Sequence, residues 1–248
     1  MKDGVTRVTY RGAHRYACGI HKVKGFPGAT TYMGAMAAPG LEWWKTDQLL
    51  RMVMERHAAI PDMLAGDGLD ATLSYFHKAG RSAGADKRDT GSEAHAAVEA
   101  IVKGQEPVIT PRIEGHVEQF RKWMADRKPV IKQSEFMVIS ERERYGATGD
   151  LAFVLDGEYW GVDVKTGKLL PETGMQLAAI RWADHAGRPG DPVEYPVPQT
   201  SRHGVLLLHA DDVELVPFDI KPDREWKAFL ACRDLYEYDK AKSQVLEA

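Results

Sequence analysis

The chain has 248 residues, 44% of them hydrophobic, and a formal net charge of -3. That composition supports a soluble protein with a sizeable core, no run approaches the roughly eighteen apolar residues of a membrane span, and the first residues lack a signal-peptide-type apolar run, so a cytoplasmic protein is expected. Cys18 and Cys232 are the only cysteines, which leaves no disulfide framework and excludes a four-thiolate zinc or iron–sulfur site within one chain.

Residues 1–30 hold Lys2, Arg7, Arg11, Arg15, Lys22 and Lys24 against Asp3 alone, a local charge of +5 that leaves -8 for the rest. A basic segment of this kind is either a solvated edge or a phosphate-contacting arm. Residues 5–24 alternate as one or two strands, closed by Gly25-Phe26-Pro27-Gly28 as a turn. Thr30 to Met36 reads as a short helix broken by Pro39-Gly40. Leu41 to Ala59 is helical, with Leu41, Trp44, Leu49, Met52 and Val53 on one side and Trp43-Trp44 taken as packing residues. Pro61 starts a further short segment that ends at Gly66-Asp67-Gly68, and Asp70 to Ala79 is helical. The polar stretch Arg81 to Asp89 is expected to be a loop. Thr90 with Glu93 forms a capping-box pattern that opens a helix running to about Lys103, with Ala94, Ala97, Val98, Ile101 and Val102 inward. His95 and Glu99, four residues apart, flank that apolar face. Pro111 to Arg127 is another helix, burying Val117, Phe120, Trp123 and Met124.

Pro129 to Ser140 reads as a strand containing Glu135. Two strands follow, about Thr148 to Leu155 and Tyr159 to Lys165, joined by Asp156-Gly157, a strong hairpin signal. The first carries Asp150. The second carries Asp163 and Lys165, which alternation places on one face. Glu172 to Ala186 is read as a helix presenting Gln176, residues 187–200 as a Gly/Pro-rich loop, and Gly204 to His209 and Val213 to Phe218 as two strands. Glu225 to Lys242 closes the chain as an amphipathic helix. No internal repeat, low-complexity tract or interdomain linker is visible. The pattern is a single domain of the α/β (α+β) class. A mostly helical part with basic N-terminal strands (1–88) precedes a core (89–248) with a central mixed sheet of about five strands flanked by helices.

Four triplets of the form (Asp/Glu)-x-Lys occur: Asp126-Arg-Lys128, Asp163-Val-Lys165, Asp219-Ile-Lys221 and Glu225-Trp-Lys227. Three are expected to be surface charge. Asp163-Val-Lys165 differs because it ends a strand, follows Asp150 and precedes the helix carrying Gln176. A carboxylate inside an apolar strand, such as Asp150 beside Leu151, Ala152 and Phe153, needs a partner. That partner is either a structural cation or a metal ion such as Mg²⁺ or Mn²⁺, which favour carboxylate, water and phosphate oxygens.

The segments GSEAHAAVEA, QSEFMVIS, TGDLAFVL, WGVDVKTGK and GMQLAAIRWA together resemble the successive motifs of the PD-(D/E)XK nuclease superfamily, nearest its RecB-type branch with phage and CRISPR-associated exonucleases. TTYMGAMAAPGLEWW resembles the start of that branch's phage members, and the likeness spans about residues 30–235. The resemblance implies a restriction-endonuclease-like core and a metal-dependent DNA exonuclease of recombination or repair. By it, His95, Asp150 and Asp163 would be metal ligands, Lys165 the catalytic lysine and Gln176 a residue positioning substrate or Lys165. Glu99 and Glu135 match positions that are often acidic. Arg142, Arg144 and Lys168 flank the strands as candidate DNA-backbone contacts, with solvated surface charge as the alternative. The iron–sulfur cluster of some members is not expected here. No helicase motif is present, so unwinding would come from a helicase partner, or the protein would act with a single-strand annealing partner. A restriction-like or structure-specific endonuclease, an RNA nuclease and an inactive DNA-binding or assembly protein on the same core are the competing readings.

Overall fold

A central sheet of six strands, in the order β7-β4-β5-β6-β8-β9, organises the chain. Its members are β4 (Val130–Ser140), β5 (Tyr145–Leu155), β6 (Glu158–Lys165), β7 (His185–Gly187), β8 (Arg202–Leu208) and β9 (Val213–Pro217). Only β6 and β8 run parallel; the other neighbours are antiparallel. A parallel pair needs a crossover, and helix α7 (Glu172–Arg181) supplies it. The computed structural model describes residues 4–10, 13–36, 39–82, 85–170, 172–188 and 191–246. They form two units, residues 1–36 with 93–248, and residues 37–92. The mixed α/β character expected from the pattern is present, with β7 added to the expected five strands.

In the larger unit, strands β1 (Val5–Tyr10), β2 (Ala13–Cys18) and β3 (Val23–Pro27) form an antiparallel sheet of their own. The one or two strands expected there are three, because Gly19 to Lys22 makes a second reversal, with Lys22 at φ +57°. This small sheet buries Val5, Tyr16, Cys18 and Val23 against Met137 and Ile139 of β4. The next residues along β4 and β5 alternate to another layer. Phe136, Val138, Tyr145 and Ala147 pack with Tyr32 and Met33 of α1 (Ala29–Met33), Met175 and Ala179 of α7, and Phe229 of α8 (Lys227–Leu246). A further core joins Leu151, Phe153, Val162, Val164 and Leu206 to Val98 of α5 (Ala85–Val102) and to Phe120 and Trp123 of α6 (Glu114–Arg127). The sheet is therefore covered by helices on both sides, which buries the strands that carry the site.

The smaller unit is helical: α2 (Pro39–Glu55), a 3-10 turn His57–Ala59, α3 (Ile60–Gly66) and α4 (Gly68–Ser82), with Phe76 and Thr72 buried. Pro39 starts α2 and does not break the preceding segment, since proline is tolerated in a first helical turn. Trp43 is 77% exposed, against its expected packing role; the side chains of Leu41 and Trp44 lie outside the described residues.

Four further expectations need correction. Within Arg81–Asp89, the described residues are helical, belonging to α4 or α5; its Ala, Lys and Arg content suits a helix, and polarity alone does not make a loop. Thr90 therefore lies inside α5 and not at its start. Glu93 instead accepts hydrogen bonds from Thr110 Oγ1 at 2.5 Å and Arg112 Nη1 at 3.0 Å. Helix α7 stops at Arg181, where Asp184 N–H turns to the Ile139 carbonyl at 2.9 Å and His185 to Gly187 add to the edge of β4 as β7. Glu225, expected on the surface, is buried as a cap whose carboxylate accepts the Lys221 N–H at 2.8 Å.

Candidate metal centre

The hairpin of β5 and β6 turns at Asp156-Gly157 with φ of +51° and +80°. Both central residues left-handed is the condition for a tight turn matching strand twist, and Asp-Gly meets it at little cost. The turn fixes the register Leu151 to Val162. One step further along the same register, Asp150 faces Asp163, and there the β5–β6 ladder ends. In place of a strand partner, the Val164 N–H donates to Asp150 Oδ2 at 2.7 Å. A hydrogen bond to a charged acceptor contributes about 1.5–3 kcal/mol. The carboxylate is thus held where the two strands part.

On the other side of β5, the ladder to β4 pairs Phe136 with Gly149 and Ser134 with Leu151 and passes over Glu135 and Asp150 between them. Glu135 has φ +48°, a left-handed conformation costly for a residue with a side chain and most often kept at functional sites. Gly149 is required next to it, because a Cβ there would lie 2.3 Å from the Phe136 ring. From α5, His95 presents Nδ1 at 3.6 Å from Asp150 Oδ2. Single ligand atoms from His95, Glu135 and Asp150 all lie within 4.8 Å of one another. Three elements far apart in sequence thus converge on one half-buried point.

Asp163, 2% exposed, sits beside this set. Its Oδ1 accepts a hydrogen bond from Gln176 Nε2 at 3.0 Å. Its Oδ2 lies 2.8 Å from Lys165 Nζ, a charge pair and not a directed hydrogen bond, since that buried oxygen has no aligned donor. The electrostatics follow from crowding. Burial, then the charge of Asp163, pushes the Asp150 carboxyl well above its ordinary range. Burial, then Glu99, raises that of Glu135. Burial lowers His95, keeping its imidazole neutral and free to ligate. Burial alone would lower Lys165, but Asp163, with Asp150 and Glu172, outweighs it and keeps the ammonium charged.

The sequence-predicted residues therefore separate into groups. His95, Asp150, Asp163, Lys165 and Gln176 come together, and Glu135 joins the histidine and Asp150 as a third ligand-bearing corner. Gln176 acts on Asp163; its hydrogen bond is not to Lys165. Glu99 pairs with Lys103 one helical turn on and stands beside the cluster. Arg142 and Arg144 occupy the turn between β4 and β5, six or more residues up the strand from Asp150 and so about 20 Å away. Arg142 pairs with Glu143 at 2.9 Å, and the Arg144 guanidinium lies 6.0 Å from the centre of the Phe26 ring. Lys168 is exposed in the segment after β6.

Two residues of the rim escape sequence reasoning. Arg7 of β1 donates to Thr148 Oγ1 at 3.0 Å, and Tyr16 of β2 meets the same oxygen at 3.0 Å. The positive charge of Arg7 also reaches Glu135. The basic N-terminal segment was the available signal; of it, Lys2, Asp3 and Arg11 lie outside the described residues. A cavity of about 350 Å³, lined by Arg181, Thr200, Arg202, His203 and Phe218, opens at the other end of β6, where Trp160 pairs with Arg202. It is separate from the carboxylates.

Compared with protein-family models and with curated proteins, the chain matches none.

The donor set fits a hard divalent cation. It offers carboxylate oxygens from Asp150 and Glu135, one neutral imidazole, and a buried Asp163 oxygen without a directed donor. Mg²⁺ and Mn²⁺ take such oxygens, and the imidazole suits Mn²⁺ somewhat better. Crowded carboxylates with raised pKa values are an electrostatic cost that a cation would relieve.

Proposed function

We propose that the chain is a divalent-metal-dependent deoxyribonuclease that hydrolyses phosphodiester bonds at the His95–Glu135–Asp150–Asp163–Lys165 cluster. The observation that carries this reading is the convergence, at the point where β5 and β6 part, of buried carboxylates with a charged lysine and a neutral histidine. An ordinary structural ion pair needs one carboxylate and one cation. Here Asp150, Glu135 and Asp163 crowd one lysine, an excess of negative charge that makes sense as a cation site. The resemblance of the surrounding segments to PD-(D/E)XK nucleases supports the same chemistry, with DNA as substrate.

His95, Glu135 and Asp150 would hold Mg²⁺ or Mn²⁺, with Asp163 adjoining. A bound divalent ion supplies an activated water at neutral pH and neutralises charge on phosphoryl oxygens. Lys165 keeps its proton because Asp163 stabilises the ammonium. Its three N–H donors stand ready for the attacking water or for the charge that develops on phosphorus-bound oxygen. Gln176 fixes Asp163 from α7, and the Val164 N–H fixes Asp150, so both carboxylates are oriented before substrate arrives. Arg7 on the rim offers a guanidinium for a backbone phosphate, a contact that positions DNA without reading sequence.

Degradation of linear and closed-circular duplex DNA, side by side with Mg²⁺, Mn²⁺ or EDTA, tests the proposal. Metal-dependent loss of the linear form alone identifies an end-dependent exonuclease. Cutting of the circle identifies an endonuclease on the same centre. Intact DNA of both forms, with DNA still bound, overturns the nuclease reading in favour of a binding module.

A further inference from the structure

A second cluster of ligating side chains lies away from the carboxylates of β5 and β6, and the first site makes no use of it. His21 comes from the β2–β3 turn, Glu141 from the start of the β4–β5 turn, His185 from the first residue of β7, and Glu194 from the segment that follows. The two imidazoles stack, with ring centroids 3.8 Å apart and planes inclined by 24°. The two glutamates close opposite edges of the stack. His21 Nδ1 lies 2.9 Å from Glu141 Oε1, and His185 Nε2 lies 3.0 Å from the same oxygen. At the other edge, His185 Nδ1 lies 2.8 Å from Glu194 Oε1, and His21 Nε2 contacts Glu194 Oε2.

All four ring nitrogens therefore face carboxylate oxygens. An ionised carboxylate only accepts, and a neutral imidazole carries one N–H. Hydrogen bonds alone would satisfy the four contacts only if both rings carried two protons. That would stack two like charges face to face. A cation at one edge removes the conflict. Each ring then turns a bare nitrogen to the ion and gives its single N–H to the carboxylate at the far edge. That carboxylate–histidine–metal arrangement orients ligating histidines in metal sites generally.

The geometry points to a second, separate metal site, in which His21 Nε2, His185 Nδ1 and a Glu194 oxygen ligate a divalent transition-metal ion of the zinc class while Glu141 orients both rings. Ligand atoms of His21, His185 and Glu194 all lie within 4.8 Å of one another, which puts the ion at the Glu194 edge. Two imidazoles and one carboxylate suit Zn²⁺ and leave a fourth position for water. The side chains of His21 and His185 are 21% and 22% exposed, open enough for entry of the ion.

The backbone under three of the four side chains is pinned. Asp184 Oδ2 accepts from the Glu141 N–H at 2.9 Å and from Ser140 Oγ at 2.8 Å. His185 pairs with Ile139 across the sheet, and Ala186 and Tyr195 exchange backbone hydrogen bonds at 3.0 and 2.8 Å beside Glu194. An ion here would tie the small N-terminal sheet to the β7 edge of the central sheet, a structural cross-link independent of phosphodiester chemistry.

Zinc binding by the full chain, measured by competition with a chromogenic chelator in excess Mg²⁺, tests the site. The expected result is one Zn²⁺ per chain together with a rise in melting temperature on zinc addition. His185→Ala and Glu194→Gln should each weaken zinc binding at least 100-fold. Glu141→Gln should weaken it about 10–100-fold, as loss of an orienting partner does. His57→Ala, at an exposed histidine elsewhere, should leave it unchanged. Circular dichroism of the two glutamine variants checks that they fold, should His185→Ala fail to. Absence of zinc uptake by the wild type, or uptake unchanged in both folded glutamine variants, would overturn the site.

Discussion

Asp163-Val-Lys165 and Asp219-Ile-Lys221 are the same triplet, and each closes on itself as an ion pair, at 2.8 Å and 3.1 Å. Their surroundings differ. Side-chain exposure is 33% for Lys165 and 2% for Asp163, against 52% for Lys221 and 77% for Asp219. An exposed pair of the second kind contributes about 0–1 kcal/mol and is screened by salt. The first pair has lost water on the aspartate side and has Asp150 as a neighbour, so its charges act at short range in a weakly screened setting. The motif is therefore written in three residues, but its chemistry depends on where the sheet puts them. In Asp163 and Lys165 the strand ends between two carboxylates. In Asp219 and Lys221 it has already run out into solvent.

The largest effect expected from breaking this contrast is on turnover. Asp163→Ala should reduce metal-dependent DNA cleavage by about 10²–10³-fold or more, the loss typical of one preorganised electrostatic group. Asp219→Ala should change it less than about twofold, as surface substitutions do. Rates on an end-labelled duplex at saturating Mg²⁺ measure both.

Asp150→Asn separates stability from function. Folding raises this carboxyl above the ordinary aspartate value of 3.8, so above that pH the folded, metal-free protein holds more protons than the unfolded chain. Its stability then falls as pH rises, until the folded-state pKa is passed. Asparagine keeps an oxygen for the Val164 N–H and removes the charge. Metal-free Asp150→Asn should accordingly melt higher than metal-free wild type at pH 7, by about 2–4 °C for each kcal/mol recovered. It should also lose the stabilisation that Mn²⁺ gives the wild type. Thermal melts with EDTA and with Mn²⁺, at pH 5 and pH 7, read both effects.

Gln176→Ala should cost about 10-fold in turnover with little change in DNA affinity, because the glutamine touches Asp163 and acts by positioning it. The smallest effect belongs to the rim. Arg7→Ala should lower DNA affinity a few-fold and reduce the slope of log affinity against log salt by about 1, as expected for one phosphate contact. An unchanged slope would return Arg7 to a purely structural role at Thr148.

Much of the site was legible because its signals are local. The Asp-Gly turn fixes the β5–β6 register and so brings Asp150 opposite Asp163. Alternation puts Asp163 and Lys165 on one face, and helical spacing sets His95 at the edge of the buried face of α5. Other parts were hidden because they depend on distant partners. In the sequence Glu135 stands out only as an acidic position of the resemblance; that it reaches the cluster depends on its own left-handed backbone in mid-strand, which no alternation pattern reveals. Arg7 arrives from a strand 141 residues before the threonine it binds. The three-residue β7 is too short to carry a period, and only its pairing with β4 defines it. The error at Thr90 has the opposite origin. Its capping-box pattern is local and real as a pattern, but a helix already running from Ala85 overrides it, and Glu93 is taken by Thr110 and Arg112.

The most direct test of the central claim compares the two lysines. Lys165→Ala and Lys221→Ala proteins, each confirmed folded by its melting curve, would be assayed with wild type on linear duplex DNA in Mg²⁺ and Mn²⁺. The account predicts DNA binding in all three, cleavage by wild type and Lys221→Ala at similar rates, and almost none by Lys165→Ala. Cleavage by Lys165→Ala at the wild-type rate would contradict it, and would separate the buried triplet from the chemistry.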